Sequence, residues 1–352
     1  MTTPLSLPKF LDLLQRSNLL APASLAMVRA EVARDRGLSE ARTLADRLVF
    51  KGLLSNWQAE QLLAGRLGFV IGPYVLRDKI ASGAMGSVYR AERIKDRLPV
   101  ALKIISGALA HQGEALGRFL VEIRATTTMR HPNIISAIEA DREGERLYLA
   151  MEFVEGRNLK EWVVEEGSLP VPFACECLRQ VSIGLQYAHD QGMVHRDIKP
   201  ANLIVTREGP KGPPIVKILD LGLARFLGEA KDQRLTLSGQ MMGTPDYISP
   251  EQARNTKHAD ARSDIFSMGC SLFELLTGRL PFEGKNVVEK LMARVQQDAP
   301  PVRSVRKDIP AAVENALAKM LARDPADRYQ TALDVAKALA PLSGTAFPSP
   351  GG

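Results

Sequence analysis

The chain is 352 residues long, 45% hydrophobic and 24% charged, which excludes wholesale disorder and leaves room for two domains or one large domain with an appendage. Its longest stretch without Asp, Glu, Lys or Arg covers residues 338–352, and the three prolines and three glycines there exclude a membrane-spanning helix. The net charge of +6 comes from bases interleaved with acids, with no like-charged run that would form a nucleic-acid stripe.

Residues 1–66 read as a small all-α module. A helix is expected over residues 5–14. Pro22 opens a second, with Leu25, Val28 and Val32 on one face and Gly37 as its stop. Ser39 is placed to cap a third, whose stripe of Ala41, Leu44, Ala45 and Leu48 ends at Gly52. Ser55-x-x-Gln58 is a capping-box pattern that starts a fourth, through Trp57, Leu62 and Leu63 to Gly65. Nothing in this module looks catalytic, so it reads as a packing or partner-binding bundle.

After Gly72-Pro73 the texture changes. Apolar and β-branched runs at 74–80, 87–91, 100–105, 134–140 and 147–153 predict a mostly antiparallel sheet, interrupted by one helix near 114–129. From Leu159 onward helical spacing dominates, as in Leu178, Val181, Leu185 and Ala188. Further helices are expected at 264–276, 286–297, 311–322 and 331–342. Residues 343–352 are rich in Pro, Gly and Ser and read as a disordered tail. Strands followed by helices make an α+β arrangement in two lobes. Cys175, Cys177 and Cys270 are too few and too scattered for a disulfide framework or a zinc cluster and read as small buried hydrophobes. With no secretion signal at the N-terminus, they fit a cytoplasmic location.

Chemistry gathers in four places. In Ile80-Ala81-Ser82-Gly83-Ala84-Met85-Gly86-Ser87-Val88, two glycines between strands would let backbone N–H groups approach a polyphosphate. Val100-Ala101-Leu102-Lys103 closes an apolar strand with an ammonium, and Glu122 sits where a carboxylate could hold it. Singly, a glycine turn, a snorkelling edge lysine and a solvated acid account for these as well. His195-Arg196-Asp197-Ile198-Lys199-Pro200-Ala201-Asn202 packs a carboxylate, an ammonium and a carboxamide into one short loop. Ile218-Leu219-Asp220-Leu221-Gly222 adds a second carboxylate at a strand end. Phosphoryl transfer needs an orienter for the acceptor hydroxyl, positive charge for the phosphate and hard oxygen ligands for magnesium.

Taken in order, these motifs resemble the bacterial serine/threonine protein kinases over residues 74–342. The resemblance implies a bilobal kinase-like fold, with a lobe of about 74–154 built on a small antiparallel sheet and a helical lobe of about 155–342. It implies that Gly83 and Gly86 cover the ATP phosphates, and that Ile80, Val88, Ala101 and Ile204 sandwich the adenine. Met151 would gate the pocket, and the backbone from Glu152 to Val154 would bind the base. Lys103 would grip the phosphates and pair with Glu122. Asp197 would orient the substrate hydroxyl, Lys199 would neutralise the γ-phosphate, and Asn202 and Asp220 would hold Mg²⁺, with Mn²⁺ an alternative. Lys103, Glu122, Asp197, Asn202 and Asp220 would converge on one nucleotide–magnesium complex in the cleft between lobes. Asp264 would brace the catalytic loop, and Glu251 of Ser249-Pro250-Glu251 would pair with Arg328.

Lys199 and Thr244 of Gly243-Thr244-Pro245 point to the Ser/Thr class and to protein substrates. Three positions depart from the family pattern: Ala81 for the first glycine, Leu221 for phenylalanine, and Thr126 for an apolar residue. None removes a charge that the chemistry needs. Arg196 would receive a phosphate placed on Thr236 or Ser238. The run Asn56-Trp57-Gln58 to Gly65-Arg66 resembles the extensions of planctomycete-type kinases. The rival readings are an ATP-binding pseudokinase scaffold that recruits a protein partner through residues 1–66, and a small-molecule kinase.

Overall fold

The computed structural model describes residues 5–35, 37–83, 86–105, 127–209, 212–221, 245–255 and 259–346. They belong to two compact units, one drawn from Met1–Leu116 with Ala137–Phe153, the other from Gly117–Ser136 with Val154–Gly352.

The first unit opens with helices α1 (Leu7–Arg16), α2 (Pro22–Arg34), α3 (Ala41–Phe50) and α4 (Asn56–Leu63). Pro22 opens α2 as expected, because its fixed φ suits the first helical position. Ser39 does not cap α3. Glu40 takes the N-cap position, and its side chain makes no cap hydrogen bond. The capping box of α4 is complete, with Ser55 and Gln58 each satisfying the other's backbone N–H. Phe10, Leu14, Leu44, Leu48 and Leu62 fill the space between the helices. Each such fully buried side chain contributes roughly 1.5–3 kcal/mol.

The same unit holds strands β1 (Val70–Ile71), β2 (Tyr74–Gly83), β3 (Gly86–Arg93), β4 (Pro99–Ile105), β5 (Ala137–Glu143) and β6 (Arg146–Glu152). They form one antiparallel sheet in the order β1-β2-β3-β4-β6-β5. The expected strand at 134–140 starts only at Ala137, because Ile134 makes a parallel bridge to Ile218 in the second unit. The helix expected near 114–129 lies outside the described residues up to 126, and residues 127–128 form a turn.

The second unit contains β7 (Arg157–Asn158), α5 (Leu159–Glu166), α6 (Val171–Asp190), β8 (Leu203–Arg207) and β9 (Pro214–Ile218). Helices α7 (Pro250–Arg254), α8 (Ala261–Thr277), α9 (Val287–Gln296), α10 (Val302–Val305), α11 (Ala311–Met320) and α12 (Ala332–Leu339) come after them. Every residue of α8 from Ser263 to Leu276 is buried, so this helix is the axis of the core and not an amphipathic surface helix. A Cβ on Gly269 would lie 2.9 Å from the Leu321 side chain, a closeness that only glycine permits. The tail expected to be disordered begins ordered: Gly344 N–H donates to the Pro172 carbonyl and the Ser343 hydroxyl to that of Leu339.

Candidate active site

In the sheet, register decides which candidates share a face. Val88 lies opposite Lys103 across β3–β4, and Ala101 lies opposite Met151 across β4–β6. Opposed residues, and residues two apart, point the same way. Val88, Ala101, Lys103 and Met151 therefore stand on one face. The other face carries Val100, Leu102 and Ala150, which pack with Tyr74, Leu76 and Ala91 as core. Lys103 is 4% exposed, which gives its ammonium unusual electrostatic reach. Ile80 sits at an irregularity between β2 and β3 and is half exposed. Glu152 ends β6, and Val154 lies just beyond it in the second unit.

Where β2 meets β3, Gly83 opposes Gly86 and the hydroxyls of Ser82 and Ser87 lie 2.9 Å apart. The two glycines differ. Gly86 has φ +134°, and a Cβ there would sit 1.9 Å from the Ile104 carbonyl oxygen. Gly83 lies outside the positive-φ region, and no described atom lies within 4 Å of its hypothetical Cβ.

In the second unit, the loop from His195 to Asn202 is tied down from several sides. Asp264, near the start of α8, accepts the backbone N–H groups of His195 at 2.9 Å and Arg196 at 2.7 Å, and it bonds His189 Nε2 at 2.8 Å. His195 accepts the Asp197 N–H at Nδ1 and meets the Leu219 carbonyl through Nε2 at 2.7 Å. Gln252 Nε2 donates to the Arg196 carbonyl. The Asn202 amide donates to both the backbone carbonyl and the carboxylate of Asp197, at 2.8 and 3.1 Å. Lys199 Nζ lies 2.8 Å from the same carboxylate.

The hairpin β8–β9 brings the two candidate metal ligands to one end. Leu203 pairs with Ile218, and the Leu219 N–H donates to the Asn202 carbonyl at 2.9 Å. Next in the chain, Asp220 holds φ +59°, a strained conformation for a non-glycine residue of the kind that concentrates at functional sites. Ile204 lies on β8, half buried. Among the described residues no group of three His, Cys, Asp or Glu could hold a metal. The donor set still suits Mg²⁺, which takes few protein oxygens beside phosphates and water. Because Asn202 spends its nitrogen on Asp197, its amide oxygen is the end left for a cation.

Glu251 and Arg328 form the expected pair, at 2.8 and 2.9 Å. Arg328 is buried, and its remaining N–H groups reach the carbonyls of Ala322, Arg262 and Arg323. Burial works to raise the Glu251 carboxyl, but the Arg328 guanidinium and the Ser263 hydroxyl outweigh it and hold it below the usual carboxylate range. The sequence reading missed His189 and Gln252 as braces. Ser249-x-x-Gln252 is a capping-box pattern, realised at α7, and it could have flagged Gln252. Nothing local marks His189. Glu122, Thr126, Gly222, Thr236, Ser238 and Thr244 lie outside the described residues.

A model of the protein kinase domain matches residues 74–338. The chain belongs to the protein kinase family. It is 36% identical over 266 residues to the serine/threonine-protein kinase PrkC of Bacillus subtilis, covering 76% of this chain and 40% of that one. Similarity to PknL of Mycobacterium tuberculosis is also 36%, over 74% of this chain and 63% of the relative. A probable PknB of Corynebacterium glutamicum is 38% identical over 79% of this chain and 43% of its own length. These relatives make the domain one of serine/threonine type, and the chain spans about 40% to 63% of their lengths. In fold, this kinase domain resembles the crystal structure of the Mycobacterium tuberculosis PknI kinase domain, with TM-score 0.62 and 24% identity, covering 79% of this chain and 100% of that one. Among the described residues no helix is long and apolar enough to cross a membrane.

Proposed function

We propose that this kinase transfers the γ-phosphoryl group of ATP to serine and threonine hydroxyls of proteins, with Mg²⁺ as cofactor. Carrying the reading is the lock between Asn202 and Leu219, which keeps the Asp197 loop and Asp220 at one end of a hairpin. Asp197 accepts the proton of the substrate hydroxyl at its carboxylate, and Lys199 leaves it to stabilise the transferring phosphoryl group. Lys103 binds the α- and β-phosphates, paired with Glu122. The metal, held by Asn202 and Asp220, neutralises phosphate charge when bound. Gly83 and Gly86 cover the phosphates, while Ile80, Val88, Ala101, Ile204, Met151, Glu152 and Val154 hold the base.

The proposal extends to autophosphorylation on Thr236 or Ser238, with Thr244 a further regulatory residue. Arg196 supports it, since its buried Nε has no hydrogen-bond partner among the described residues. A cytoplasmic location, the planctomycete-like character of residues 1–66 and their recruitment of a protein partner belong to the same reading. Calorimetric titration with Mg-ATP tests the site. Lys103→Met and Asp220→Asn should each weaken binding about tenfold or more, the loss of a strong charge-assisted contact. Undiminished affinity in both variants overturns the assignment.

A further inference from the structure

The capping box of α4 does more than start a helix. Strand β1 covers β2 only at Tyr74 and Val75, so beyond Val75 the outer edge of β2 has no strand partner among the described residues. Such an edge leaves backbone groups to be satisfied by other means. The Leu76 N–H goes to the Phe69 carbonyl at 2.8 Å. Gln58 Nε2 donates to the Leu76 carbonyl at 2.7 Å, and the Ser55 hydroxyl donates to the carbonyl of Arg77. Each residue serves twice: Ser55 Oγ also accepts the Gln58 N–H, and Gln58 Oε1 accepts the Ser55 N–H.

The clamped stretch holds the first of two breaks in the β2–β3 register, between Leu76 and Asp78, the second following between Lys79 and Ala81. A bulge of this kind bends a strand and re-aims the residues beyond it. Ile80 and Gly83 are among those residues, and a slip of one position would turn every side chain past the bulge to the other face. On the partner strand, Trp57 of α4 packs against Tyr89 with ring centroids 5.4 Å apart, next to Val88. Gln58 is fully buried, so water cannot replace its amide at the Leu76 carbonyl.

We propose that α4 is a positioning element for the Gly83–Gly86 hairpin, with Gln58 and Ser55 fixing the bulge that sets the hairpin's aim and thereby the affinity for nucleotide. This rests on the ATP-binding reading of that hairpin.

The test uses the full chain. In Gln58→Leu the KM for ATP should rise roughly fivefold, the equivalent of one lost hydrogen bond, with kcat and the KM for a peptide acceptor within about twofold. Ser55→Ala should move the KM for ATP the same way, and Ser55→Thr, which keeps the hydroxyl, should restore it. Leu44→Ala, which removes apolar packing in the helical core but no hydrogen bond of the clamp, should lower Tm and leave the KM for ATP unchanged. Amide hydrogen exchange over residues 79–83 and 86–88, without nucleotide, should quicken about tenfold in Gln58→Leu through local opening. If wild type fails to bind Mg-ATP, the ATP-binding reading falls, and exchange alone decides the clamp. Unchanged exchange in Gln58→Leu and Ser55→Ala overturns it, as does a shift in the KM for ATP in Leu44→Ala equal to theirs.

Discussion

The Asp264 carboxylate accepts the backbone N–H of Arg196 at 2.7 Å, across 68 residues of sequence. Arg196 holds φ +65°, a left-handed conformation that costs about 1–2 kcal/mol and persists only where its surroundings enforce it. Asp264 is that enforcement, since it also fixes the His195 N–H. Asp264→Ala strands two N–H groups, at about 1–3 kcal/mol each. Urea unfolding of this variant should show a loss of about 2–5 kcal/mol. A loss under about 0.5 kcal/mol would mean that the loop is held without it.

The Glu251–Arg328 pair carries a pH signature. Glu251 has its folded pKa lowered from 4.5, so its stabilising contribution is complete above the unfolded value and fades as pH falls through the folded one. In that window the unfolded state binds more protons, and stability rises with pH. Glu251→Gln should cost about 3 kcal/mol at neutral pH, because Arg328 is left buried and unpaired. The variant should also lose less than wild type on acidification below 4.5. Parallel pH–stability curves for the two proteins would contradict this.

The glycines of the nucleotide hairpin should respond unequally. Gly86→Ala forces a Cβ to within 1.9 Å of the Ile104 carbonyl and onto φ +134°, so β3 must shift and ATP affinity should fall by about tenfold or more. Gly83→Ala meets neither obstacle and should stay within about threefold of wild type. Titration with Mg-ATP checks both, and equal losses would refute the steric account.

The thiols should be silent in the native state. Burial pushes Cys175 and Cys270 up to about 12, and Cys177 is raised likewise, chiefly by burial. Thiolate is the reactive form, so a thiol reagent at pH of about 8 should label none of the three cysteines until denaturant is added. Rapid labelling of the folded protein would show that one of them is accessible.

Much of this was legible in the sequence because the information is local. Ser55-x-x-Gln58 is a capping box wherever it sits, and apolar, β-branched runs separated by turn or charged segments read as strands. The Asp197, Lys199 and Asn202 cluster needs no tertiary knowledge to be noticed. One miss is local and the others are long-range. Ser39 looks like a cap, but Glu40 is the residue that precedes α3. Ile134 belongs by texture to a strand, yet it bridges to Ile218. His189 reaches Asp264 over 75 residues, and no spacing rule predicts that. The second use of Ser55 and Gln58 was equally hidden, because it depends on an irregular strand register that only the folded backbone shows.

The most direct measurement is transfer of labelled γ-phosphate from Mg-ATP to the chain itself and to a generic protein acceptor, comparing wild type with Asp197→Asn. The account predicts phosphoserine or phosphothreonine in wild type and a rate lower by about a hundredfold or more in the variant, the scale expected for losing a proton acceptor. Absence of transfer by wild type with either Mg²⁺ or Mn²⁺, or equal transfer by both proteins, would contradict it.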